Sequence, residues 1–125
     1  MTIGQIERSV REYMKDTAEG NYRYPSWMIC GAVFDALREI TRVRQDARYV
    51  GLKLVPDREW PYLTDQSEDT EVESAQATEW PLDQRWEPAA RYFAIARCFE
   101  LDGADTINTS RAADAMSRFA ATISA

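Results

Sequence analysis

Residues 89–99 (AARYFAIARCF) constrain the fold more than any other stretch. They are apolar nearly all the way round a helix, interrupted only by Arg91 and Arg97. A surface helix carries one apolar stripe, whereas a helix apolar on every side is the central one of a bundle. Its alanines let neighbouring helices come close. The pattern predicts a helix over 84–102, with Asp83 as N-cap and Pro88 in or just past the first turn, so that regular helix begins near Glu87. Asp102-Gly103-Ala104 breaks it.

A central helix needs others around it, and three periodic segments supply them. Over 3–17, Ile3, Ile6, Val10, Tyr13 and Met14 form one stripe of a 3.6-residue repeat, and Thr2 with Gln5 is a capping box. Gly20 and Asn21 offer a left-handed ending, and Pro25 signals the next start. Over 26–44 the apolar set is Trp27, Cys30, Val33, Phe34, Leu37, Ile40 and Val43. Over 105–123 it is Ile107, Ala112, Ala115, Met116, Phe119 and Ile123. The links between the first and second helices and between the third and fourth are short. The expectation is a mainly α single domain over residues 1–125, a four-helix bundle of two antiparallel hairpins.

The middle of the chain is different. Residues 48–55 (RYVGLKLV) alternate weakly and read as a strand, within an extended segment over 48–63. Trp60-Pro61-Tyr62-Leu63 is either a second short strand or an extended arm. Residues 65–79 then hold Asp65, Glu68, Asp69, Glu71, Glu73 and Glu79 and no base. Those six acids account for the whole imbalance between 21 acids and 15 bases. With Val72 as its only large hydrophobe, this segment reads as a mobile loop. Trp60-Pro61 and Trp80-Pro81 bracket it, as a pinched base or by coincidence. The second helix ends in Arg38, Arg42 and Arg44, followed by Arg48. These cations either complement the helix dipole or form a basic contact surface for a partner or nucleic acid.

The chain has no histidine. That removes the usual general base, the Ser–His and Cys–His pairs and the commonest zinc ligand. Gly-rich phosphate loops, EF-hand spacing and a GxSxG elbow are absent. Asp35 with Glu39, and Glu100 with Asp102, are carboxylate pairs that surface charge explains. The expectation is no enzyme, no cofactor and no metal. Cys30 and Cys98 fall in apolar helical patterns and read as buried thiols of a reducing compartment, with a disulfide between them as the alternative. No stretch reaches the roughly 18 apolar residues of a membrane span, and the N-terminal residues lack the apolar core of a secretion signal.

Two stretches carry a family likeness. Residues 3–46 run through a helix ending in Lys15-Asp16-Thr17, a short loop, an aromatic near the second helix start, and ALREITRVRQDA (36–47, one residue past that stretch). Residues 82–119 run from a Leu82-Asp83 start through an aromatic and alanine-rich helix (Tyr92 to Phe99), a turn with Asp102 and Asp105, and a helix with Ala112, Ala115 and a closing Phe119. This layout resembles the head-to-tail adaptor (connector) proteins of tailed bacteriophages, of the short-tailed type. Where related proteins often carry a longer β-rich insertion, this chain has one strand, two Trp-Pro sites and the acidic segment.

The resemblance implies a non-enzymatic virion protein at the head–tail junction, made in the host bacterial cytoplasm. Its copies would form a ring, typically dodecameric, between the portal protein and the tail nozzle or tube. Double-stranded DNA would pass through the ring without sequence-specific binding, and no membrane is involved. On that reading Trp60, Tyr62, Trp80 and Trp86 are candidate interface anchors, or core residues in part. Arg38, Arg42, Arg44 and Arg48 are candidate partners for acids of a neighbouring subunit or the portal. The six acids of 65–79 would face the channel and repel DNA, whose duplex carries one charge per roughly 1.7 Å, or reach a basic surface on a partner; a solvated loop without a partner is the remaining reading. A rival function is a small acidic phage-encoded regulator that binds a host protein as a DNA mimic.

Overall fold

Five helices carry most of the described residues: α1 (Ile3–Met14), α2 (Ser26–Val43), α3 (Asp69–Ala77), α4 (Glu87–Leu101) and α5 (Thr106–Ser124). Two short strands, β1 (Tyr49–Val50) and β2 (Lys53–Leu54), pair antiparallel between α2 and α3. The computed structural model describes residues 1–55, 60–102 and 106–124. The expected mainly helical bundle with a small extended segment is the architecture found.

The antiparallel pairing is legible in the contacts. Across α1 and α2, Arg11 reaches Ser26 while Glu7, a turn earlier, reaches Cys30 a turn later. Across α4 and α5, Phe93 meets Phe119 edge-on at 5.1 Å, while Phe99 lies under Arg111. α4 is the central helix, with Ala89, Ala90, Ala94, Ile95, Ala96 and Cys98 all buried. α2 packs its Cys30, Val33, Phe34, Leu37 and Ile40 into the same core, and α1 adds Ile3, Ile6 and Val10. Both cysteines are free and buried, not bridged. Burial pushes the Cys98 thiol up to about 12 and raises that of Cys30 further, with the Glu7 carboxylate beside it adding to the rise.

Helix ends follow local chemistry. The Thr2 capping box is present in both directions, at 3.2 and 2.8 Å. α1 stops at Met14 rather than residue 17, with Lys15 in the left-handed region at φ 61°. The stop frees Asp16 from the helix so that its carboxylate can turn inward. The α4 segment opens as a 3-10 turn over Gln84–Trp86, capped by the Asp83 side chain, and becomes regular helix at Glu87.

Three expectations are corrected. The segment 48–55 is not one strand but a hairpin around Gly51 and Leu52. Gly51 has φ 64° and is the only positive-φ residue of that turn, as a type II′ turn requires. The acidic segment is not a loop: residues 69–77 form α3, whose Ala75 is buried and whose C-terminal end lies on α1. Gly4 permits that approach, because a Cβ there would stand 3.0 Å from the Gln76 carbonyl oxygen. The 78–80 strand of chain is also fastened to the N-terminal residues, through Ile3 N–H to the Thr78 carbonyl (2.8 Å) and Trp80 N–H to the Met1 carbonyl (2.7 Å). Finally, Tyr13, Val43 and Ile107 are exposed instead of lying in the buried stripes of their helices.

The feature with no apolar signature is a buried ionic cluster centred on Arg11. Its Nε donates to Glu7 (2.9 Å), and Nη1 donates to Asp16 (2.9 Å) and to the Tyr24 carbonyl (2.8 Å). Asp16 also accepts the backbone N–H groups of Arg23 and Tyr24, at 2.8 and 3.0 Å. Glu7 accepts from Ser26, Cys30 and Gln76, at 2.9, 3.2 and 2.8 Å. All three ionised side chains are buried. Burial alone would raise the Glu7 carboxyl pKa; the donors from Gln76, Cys30, Ser26 and Arg11 outweigh it and hold it below the ordinary value of 4.5.

Removing one partner leaves buried charges uncompensated, so Arg11→Met destabilises the fold by about 3–5 kcal/mol in urea titration. The depressed Glu7 pKa also fixes a pH window. Its contribution is fully present above pH 4.5, the ordinary value, and is lost as pH falls through the folded value. Stability of the wild-type chain therefore declines below about pH 4.5, and Glu7→Gln flattens that part of the profile.

Candidate functional site

The β1–β2 hairpin is the most apolar exposed element. Tyr49, Val50, Leu52 and Leu54 are all solvent-exposed, and Leu52 at its tip is 100% exposed. A two-stranded hairpin this short is marginal alone. Here it is rooted by buried Ala47 before it and by Val55 N–H donating to the Arg48 carbonyl at 2.6 Å. An adjacent set of exposed large apolar side chains marks a contact surface.

A groove lies elsewhere, where α1 ends, α4 ends and α5 begins. Tyr13, Met14, Phe99, Ile107 and Arg111 wall a space of about 530 Å³. Tyr13 and Ile107 are the residues that periodicity assigned to the core. They leave it together because the groove lies between them.

The acids of 65–79 are held by an ordered element. Asp69, Glu71 and Glu73 lie on α3, and Glu68 stands just before it with no side-chain cap bond, all exposed; Asp65 lies in the preceding turn. Glu79 is separate, bridged through its backbone to Thr2. Asp69 and Glu71 sit in the first turn, where the helix dipole favours negative charge.

The arginines have several different settings. Arg38 is a clamp: it bonds Asp35 (3.0 Å) and the carbonyls of Trp60 and Pro61 (both 2.7 Å), and its guanidinium lies 3.6 Å from the centre of the Tyr62 ring. Gly31 lets the same segment lie on α2, with the Leu63 carbonyl 3.3 Å from where a Cβ would be. Arg42 pairs with Glu39, whose carboxyl that arginine lowers. Arg44 pairs with Asp46 (2.9 Å), donates to the Ile123 carbonyl (2.7 Å) and stands over Trp86. Arg48 ends the 3-10 turn that feeds the hairpin.

The four aromatics divide. Trp80 and Trp86 are core residues, 8% and 3% exposed, with the Trp80 indole donating to the Asp83 carbonyl at 3.1 Å and the Trp86 ring beside Arg44 and Arg85. Trp60 is partly buried against the core. Tyr62 alone is an open surface ring, 75% exposed. The structure thus brings Arg38, Trp60 and Tyr62 together and keeps Arg44 with Trp86 near the end of α5, while the clamped 60–63 segment runs beside α3, where Pro61, Leu63 and Glu71 line one pocket. The contact-surface residue that sequence reasoning missed is Leu52; a glycine between strand-forming residues was its signal.

Among the described residues no group of three or more His, Cys, Asp or Glu side chains could hold a metal ion, and no helix is long and apolar enough to cross a membrane. Comparison with protein-family models, curated proteins and solved structures found no match to this chain.

Arg38→Ala removes two carbonyl bonds and the Tyr62 stack. It lowers stability by about 1–2 kcal/mol. Hydrogen exchange rises in residues 60–63 and is unchanged in α4; equal acceleration in both would mean that Arg38 is not a local clamp.

Proposed function

We propose that this chain is a virion structural protein of a tailed bacteriophage, a head-to-tail adaptor. Its copies form a ring, dodecameric as is typical of the family it resembles, below the portal, join the capsid to the tail and line the channel through which double-stranded DNA leaves. The observation that carries this reading is the uncovered apolar hairpin at 49–54. A ring subunit must keep apolar surface for its neighbours, whereas a free monomer gains nothing from exposing it.

The likeness of residues 3–46 and 82–119 to adaptor proteins supports the same reading. Its quoted positions include core and turn residues here: Phe93, Ala112, Ala115 and Phe119 are buried, and Asp102 accepts from Tyr24 and Asn108 at the turn between α4 and α5. The α3 acids then face the channel or a basic partner surface as a fixed array. The second reading, an acidic regulator that occupies a nucleic-acid-binding surface of a host protein, is favoured by one observation: Asp65, Glu68, Asp69, Glu71 and Glu73 make no ion pair among the described residues.

The test is to mix the purified chain with the portal ring encoded by the same genome. The adaptor reading predicts co-sedimentation and a ring of added density below the portal by electron cryo-microscopy, both lost in a Tyr49→Ser, Leu54→Ser double variant. A chain that ignores the portal and forms a one-to-one complex with a host nucleic-acid enzyme overturns it in favour of the regulator. Replacing the six acids by Asn and Gln without loss of assembly or genome delivery removes the channel role.

A further inference from the structure

We propose that the groove between the ends of α1 and α4 and the first turns of α5 docks a short acidic and apolar segment of a partner protein. The segment's apolar side chains lie between Tyr13 and Ile107, and its carboxylates meet Lys15 and Arg111. The inference goes beyond the adaptor reading and does not rest on it.

The groove is cationic in an acidic chain. The chain as a whole carries a net charge of −6, yet the groove's lining sets Lys15 and Arg111 against one acid, Asp114. Asp114 is already paired with Arg118, at 3.1 Å. Lys15 and Arg111 have no acid partner among the described residues; the Arg111 guanidinium instead stands over the Phe99 ring, 5.8 Å from its centre. By contrast Arg11, Arg38, Arg42, Arg44 and Arg118 each pair with a carboxylate of this chain. The two cations beside the groove are thus free to take carboxylates from outside.

Lys15 also holds its place at a conformational cost. It lies in the left-handed region, φ 61° and ψ 31°, at a helix end where glycine or asparagine is usual. An exposed cation kept in a sparsely populated backbone conformation points to a role for its side chain.

The shape favours a peptide over a small ligand. Ile107, Arg111 and Asp114 follow one another at helical spacing on one face of α5, so the groove runs about 10 Å along that helix. An extended chain covers that length with about three residues. Small ligands are held by burying about 70–90% of their surface. This groove is open, with Tyr13 and Ile107 each more than half exposed, whereas a peptide needs only a seat for a few of its side chains. A nucleic acid strand fits less well. Phe99 is buried beneath Arg111, which leaves Tyr13 as the one open ring of the lining for a base to stack on. The net charge of the chain also repels a polyanion.

The test titrates the full chain with the peptide GSELFDESG and with its charge-reversed control GSKLFKKSG, followed by NMR shifts of the backbone amides. The acidic peptide should move the amides of Lys15, Ile107 and Arg111 and saturate with a Kd of about 1 mM or tighter. The control should bind at least about 10-fold more weakly. Arg111→Glu, at an exposed position, should narrow or invert that preference. Lys15→Gly removes one cation and relieves the left-handed backbone, so its melting temperature should equal or exceed that of wild type while its affinity for the acidic peptide falls about 3-fold. That pairing separates a lost contact from a damaged fold. Three outcomes overturn the proposal: no shift of these amides with peptide at several times that concentration; equal affinity for the two peptides; or an oligothymidylate strand that moves the same amides at lower concentration than the acidic peptide, which assigns the groove to single-stranded nucleic acid. None of them bears on portal binding, by which the adaptor reading stands or falls.

Discussion

The buried guanidinium of Arg11 is the interaction on which the remaining architecture depends. It sits where α1, the α1–α2 link and α2 converge, and its partners reach α3 through Glu7 and Gln76. A buried ion pair adds little net stability over a well-packed apolar substitute. What it contributes here is geometry. Asp16 holds two backbone N–H groups of the link, and Arg11 holds the Tyr24 carbonyl, so the link has one path available to it. That path sets the register of α2 on α1. It also sets Tyr24, whose ring meets Phe99 and whose hydroxyl donates to Asp102 at the α4–α5 turn. One cationic centre thereby connects both helical pairs.

The division between what was legible and what was not follows the range of the interactions. α4 was readable because eleven consecutive residues carry its pattern, and α1 because its cap lies three residues from its partner. The Arg11 cluster was invisible because its members are spread from Glu7 to Gln76, and of them only Asp16 falls in a motif, the Lys15-Asp16-Thr17 helix end, which says nothing of a buried partner. α3 escaped for a related reason: its own sequence offers one buried alanine, and its ordering comes from α1, through a contact that the missing side chain of Gly4 allows. The groove escaped because helical periodicity cannot distinguish a stripe that ends in the core from one that overruns it. Tyr13 and Ile107 lie on the correct faces, one turn beyond where the bundle stops covering them.

The distribution of aromatic and basic residues carries a similar lesson. Four aromatics looked alike as anchors, yet three of them are wholly or partly spent on holding the chain to itself. Trp86 fixes the start of α4 against Arg44, Trp80 closes the segment fastened to the N-terminal residues, and Trp60 packs at the core margin. The arginines are engaged similarly. Arg38 holds the 60–62 segment and Arg44 holds the end of α5. Charge and aromaticity in the sequence therefore overstated the polar contact surface. The free surface is the plain aliphatic and tyrosyl hairpin.

An ordered acidic helix differs physically from an acidic loop. A mobile chain spreads its charges and lets them avoid one another, so its field averages out within a Debye length of about 8 Å at physiological ionic strength. α3 holds Asp69 and Glu73 one turn apart on one face, a like-charge spacing that works against an isolated helix by a few tenths of a kcal/mol. It is offset in part by the dipole at its first turn and by the contact with α1. The α3 acids are thus held in a fixed direction relative to the bundle. If copies repeat around an axis, that fixed direction repeats with them. The net charge then becomes a continuous band on one surface of the assembly, which a floppy segment would not produce.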